Sequence, residues 1–73
     1  MKVEDIARAY TACIELEDRA RVEVPNLVDG ISELRADLHA LLMEALRENH
    51  IPFNDRSHAA EIAFQMTRNL STH

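Results

Sequence analysis

Four histidines, one cysteine and thirteen acidic residues in a 73-residue chain are raw material for metal binding, nucleophilic attack or general acid–base work. The histidines are His39, His50, His58 and His73. His58 and Glu61 stand three apart, the spacing that puts two side chains on one helix face, and His50 precedes them across a turn. Those three could form a small metal site. The Glu-x-x-His, His-Glu-x-x-His and Cys-x-x-Cys spacings of established metal motifs do not occur. The histidines are therefore read as surface or boundary residues, and no metal or other cofactor is expected.

Asp55, Ser57 and His58 bring an acid, a hydroxyl and a base close together in sequence. Adjacent residues on a helix point about 100° apart, whereas a catalytic triad needs its three groups to converge. The acid is better explained as a helix cap and the serine as a first-turn residue. Cys13 lies among Ile6, Ala9 and Tyr10 with no neighbouring base, so it reads as a buried small hydrophobe. Glu15, Glu17 and Asp18 could do acid–base work only inside a pocket, which three short helices rarely enclose. A single glycine excludes a glycine-rich phosphate loop. The chain is not expected to be an enzyme; an enzyme or metal protein assembled at a dimer interface is the minor alternative.

The elements that position these residues follow from periodicity. Two prolines and the single glycine divide the chain into three helical segments, at about residues 3–22, 27–49 and 55–70. In the first, Val3, Ile6, Tyr10, Cys13 and Ala20 share one side, flanked by Ala9, Ile14 and Leu16. Glu17 and Arg21 interrupt that apolar arc as a favourably ordered pair four apart. Either the last turns leave the core and the pair is solvated, or the pair sits in an interface and sets its register. Val24-Pro25 ends the segment, and Asn26 is the expected cap of the next.

The second segment carries Leu27, Ile31, Leu34, Leu38, Leu41, Leu42, Ala45 and Leu46 on one broad arc, wide enough for two neighbours. Gly30 could loosen its first turn and delay its start to near Ser32. Asp29, Glu33, Asp37, Glu44 and Glu48 form an opposite carboxylate stripe, read as a solvated face, or else as a dock for a basic partner. After a turn in which Ile51 and Phe53 fold over the end of the core, Asn54 or Asp55 caps the third segment. Its apolar arc holds Ala59, Ala60, Ile62, Ala63, Phe64, Met66 and Leu70, and the alanines invite close helix approach. Ser71-Thr72-His73 should fray.

The fold expected is an all-α three-helix bundle in a single domain, with dimerisation as one means of completing it. So short a chain buries only roughly 60 % of its unfolded surface. One cysteine cannot supply an internal disulfide, which leaves helix packing, oligomerisation or a partner to stabilise it. The net charge of −5 disfavours nucleic acid and anionic membrane surfaces. A DNA-binding regulator would have to use the third helix, with His58, Gln65, Arg68 and Asn69 exposed and Arg47 and Arg56 nearby. The short apolar runs and an N-terminus without a signal segment point to a cytoplasmic protein. The leading expectation is a non-catalytic protein-interaction module acting as regulator, adaptor or inhibitor, with a protein partner or as a homodimer. Tyr10, Ile14, Glu17 and Arg21 are its expected contact residues, since interfaces favour aromatic and arginine anchors.

Overall fold

The computed structural model describes residues 1–71, with side chains through Asn69. Three helices, α1 (Val3–Glu23), α2 (Val28–Glu48) and α3 (Arg56–Ser71), pack against one another, and no strand occurs among the described residues. The all-α bundle read from periodicity is the observed architecture. The side chain of Leu70 and the expected fraying at Thr72 and His73 lie outside the described residues.

α1 begins at Lys2, whose extended backbone turns into the helix without a side-chain cap, while Glu4 and Asp5 face the positive end of the helix dipole. It ends where Val24 donates its N–H to the Ala20 carbonyl and Pro25 prevents continuation. The expectation of an Asn26 cap is corrected. Pro25–Leu27 forms one 3₁₀ turn, and Leu27 precedes α2 with no side-chain cap. Gly30 does not delay α2, which runs helical from Val28.

The exit from α2 is a Schellman turn. Ile51 N–H donates to Leu46 O, His50 N–H donates to Arg47 O, and His50 itself holds a left-handed φ of 58°. Histidine tolerates that region better than branched residues do. The turn carries Ile51 and Phe53 back onto the core, as their apolar character required. Asp55 then caps α3, its carboxylate accepting the His58 N–H at 2.9 Å. The His58 ring closes the turn from the other side, with Nδ1 accepting the Asn54 N–H.

α1 and α2 form an antiparallel hairpin, because Tyr10 meets His39 while Glu17, seven residues later, meets Ser32 and Arg35. α3 lies across one face of that hairpin. It starts over α2, where Arg56 O bonds His39 Nε2, and Thr67 near its end bonds Thr11 of α1. The core lies between them: Val3, Ile6, Ala7 and Tyr10 from α1, Leu42, Ala45 and Leu46 from α2, and Ala59 and Ala63 from α3. Ala59 and Ala63 of α3 are fully buried and Ala60 is half-buried, so their small side chains do allow the close approach expected of them.

Candidate interaction surface

Glu17 is the residue at which the structure departs most from the sequence reading. The last turns of α1 do not leave the core: Ala20 is buried and Glu17 is only 4 % exposed. Its carboxylate is enclosed by its own chain. One oxygen accepts from Ser32 Oγ and from Arg35 Nε at 3.0 Å, and the other accepts from Arg21 at 2.9 Å. Arg21 also reaches Asp18 at 3.0 Å. The hydrogen bonds from Ser32 and Arg35 outweigh burial and hold the Glu17 carboxyl below the usual glutamate range. Neither Ser32 nor Arg35 was singled out from sequence. The signal was present, because Arg35 interrupts the apolar arc of α2 as Glu17 interrupts that of α1. Two opposite charges, each stranded on an apolar face, are a pairing hint.

Tyr10 is buried with Glu17, its ring 5.1 Å from His39 and 6.5 Å from Phe64. Burial pushes its phenol upward, against the pull of Arg35 and Arg56. Ile14 is half-buried against the core, and Arg21 is the one of the four expected contact residues that stays largely exposed. Tyr10 and Glu17 thus hold the hairpin together from inside. The exposed large apolar side chains are found elsewhere.

Three of the four leucines among them are on α2 and the turn that leads into it. Leu27, Leu34 and Leu41 belong to the broad apolar arc read as serving two neighbours, and Leu27 and Leu34 are each 51 % exposed and Leu41 is 47 % exposed. They are seven apart, and with Ile31, Leu38 and Ala45 they complete an unbroken four–three heptad alternation along one side of the helix. On a helical wheel Leu34 and Leu41 lie about 150° round from His39, which faces α3. Leu16 on α1, also 51 % exposed, lies about 140° round from Thr11, which also faces α3. α3 therefore covers one face of the hairpin and leaves the other with an apolar centre. Finishing the burial of one half-exposed leucine contributes roughly 1 kcal/mol, so several together are a substantial incentive for contact.

Charges border this open face unequally. By the same wheel, Arg8 and Arg19 fall on its α1 rim together with the acids Asp5 and Glu15, and the α2 rim carries only acids, Glu33, Asp37 and Glu44. Arg8 meets Asp5 at 3.7 Å and Arg19 meets Glu23 at 3.9 Å, both in solvent, so these contacts hold the arginines only weakly. The carboxylate stripe of Asp29, Glu33, Asp37, Glu44 and Glu48 is fully on the surface.

The groups considered for chemistry are placed separately. No cluster of three or more metal-type ligands occurs among the described residues. His58 Nδ1 is committed to the turn before α3, and His39 to Arg56 O. Cys13 is buried, with its Sγ directed to the Ile31 carbonyl, and burial pushes the thiol up. An open trough of about 570 Å³ at the α2–α3 turn is lined by Arg47, His50, Ile51, Pro52 and Phe53, with Arg47 lying 5.5 Å above the Phe53 ring. It brings no acid beside His50. On α3, Arg56, Gln65 and Arg68 are exposed. Among the described residues no helix is long and apolar enough to cross a membrane. No family model matches this chain, and no curated protein or solved structure matches it.

Proposed function

We propose that this protein is a non-catalytic protein-interaction module, a small regulator, adaptor or inhibitor that works through the open face of its α1–α2 hairpin. The observation that carries this reading is the row of half-exposed leucines, Leu16, Leu27, Leu34 and Leu41, on the face opposite α3. A chain this small has little apolar surface to spare, and leucines left half in water along one face favour a contact there. The buried Glu17 network supports the same reading from within, because it fixes the hairpin and so presents the face in one shape.

A photo-crosslinking residue placed at Leu34, with Glu61 on the exposed side of α3 as control, tests this in the producing cell. The expected result is a discrete protein adduct at Leu34 and none at Glu61. Equal, diffuse labelling at both positions would end the proposal. A second marker of the same surface is Leu41→Glu. It should abolish the Leu34 adduct with the helical circular dichroism unchanged, because residue 41 already stands half in water.

A further inference from the structure

We infer that the open face receives one amphipathic helix of a partner protein, apolar along its seam and rich in lysine or arginine along its borders. This rests on reading that face as a protein-binding surface, and it goes further by naming the chemistry of the partner.

The shape calls for a helix. α1 and α2 each have 21 residues, so the groove between them runs for about 30 Å, the length of one helix of about 20 residues. The opposite side of the same hairpin is already filled by a helix, α3, through the buried Ala59 and Ala63. On the open side, Leu27, Ile31, Leu34, Leu38 and Leu41 of α2 keep the four–three spacing into which a facing helix packs. On α1, exposed Ala9 and Ala12 lie within about 60° of Leu16 on the helical wheel. Being small, they let a helix backbone come close.

The charge selects which helix. Five acids border the face, Asp5 and Glu15 on α1 and Glu33, Asp37 and Glu44 on α2, against the two arginines Arg8 and Arg19. Each arginine already has an acid beside it, Asp5 for Arg8 and Glu23 for Arg19. Glu15, Glu33, Asp37 and Glu44 are exposed and pair with no cation among the described residues. This excess belongs to the open face, because the exposed side of α3 sets Arg56 and Arg68 against Glu61. An apolar groove with unpaired carboxylates on both rims is complementary to a helix whose apolar seam is flanked by cations. The same rims repel the other occupants. A second copy sets acid on acid, with Asp5 and Glu15 opposite its Glu44 and Glu33 when α1 lies over α2. With α2 over α2, Asp37 and Glu44 meet their own copies. Nucleic acid or an anionic membrane would bring phosphates against the carboxylates.

Two fluorescent peptides, each the length of α2 with leucine at the a and d positions of its heptads, test the inference on the purified chain. One carries lysine at the flanking e and g positions and the other glutamate. By anisotropy at nanomolar peptide, the lysine peptide should bind at least about tenfold more tightly than the glutamate peptide, and less tightly as salt rises. Asp37→Lys with Glu44→Lys should cost the lysine peptide at least about tenfold in affinity. Glu4→Lys with Glu61→Lys changes the net charge equally but lies off the face, and should leave that affinity within about twofold. Failure of the lysine peptide to bind, equal binding of the two peptides, or equal loss in the two double variants overturns the inference. So does sedimentation at twice the 8.3 kDa chain mass that Leu34→Glu returns to the single mass, because a second copy then holds the face. Any of these results beside a discrete Leu34 adduct in cells would overturn the basic helix as occupant and leave the module reading standing.

Discussion

Leu46→Ala is expected to lower the unfolding free energy by about 3 kcal/mol, the usual cost of emptying a fully buried leucine site. Leu46 has no exposed surface and is packed with Leu42, Ala45, Val3 and Ile6 in the core. The facing side of α3 already meets the core through Ala59 and Ala63, so little remains that could move in to fill the void. A 73-residue domain has roughly 4–11 kcal/mol in all, so this one change removes a large share of it. Urea unfolding followed by circular dichroism measures it. A loss well under 1 kcal/mol would mean that the hairpin and α3 do not enclose Leu46 as described.

The second large effect belongs to Glu17. Replacing it with alanine strips Ser32, Arg35 and Arg21 of a shared acceptor, and two of those donors sit in the seam between α1 and α2. The variant should melt at a clearly lower temperature than one altered at an exposed acid such as Glu15. Glu17→Gln should fall between, since it keeps one acceptor oxygen and the shape. The network also makes stability depend on pH. In the folded chain the Glu17 carboxyl ionises below its ordinary value of 4.5, so between those two points the unfolded chain binds more protons. The stabilisation is therefore complete above about pH 4.5 and drains away as pH falls through the folded value. Melting temperature measured from pH 6 downward should drop more steeply in the native chain than in Glu17→Gln. Parallel curves would show that Glu17 titrates as it does in the unfolded chain.

The three helices were legible because each has a strong apolar period and a proline or an asparagine–proline turn between it and the next. The capping of α3 by Asp55 was legible as well. The start of α2 was not, because Asn26 has a capping side chain but is drawn into the 3₁₀ turn that Pro25 sets up. Periodicity also placed Leu27, Leu34 and Leu41 correctly on the apolar arc of α2 but could not say how much of that arc α1 and α3 would cover. They cover one side of it. Tyr10 shows the complementary limit. An aromatic residue beside a charged pair looks like an interface anchor in sequence, and only tertiary packing against His39 and Phe64 reveals it as core.

Glu17 links the stability of the hairpin to the shape of its open face. A hairpin that is locked by a buried ion-pair network keeps its outer face rigid, and a rigid, preorganised face loses less entropy on binding. Weakening Glu17 should therefore impair contact at Leu34 even though the two residues do not touch.

If the open face is occupied by protein where this chain works, residue 34 is shielded there, and its accessibility can be read directly. In a Cys13→Ala background, Leu34→Cys and Glu61→Cys would each be alkylated with a small thiol reagent, in intact cells and in highly diluted purified protein. Position 34 is expected to react many-fold more slowly than position 61 in cells, with the difference closing on dilution. Equal rates at the two positions in cells, matching those of the diluted protein, would contradict it.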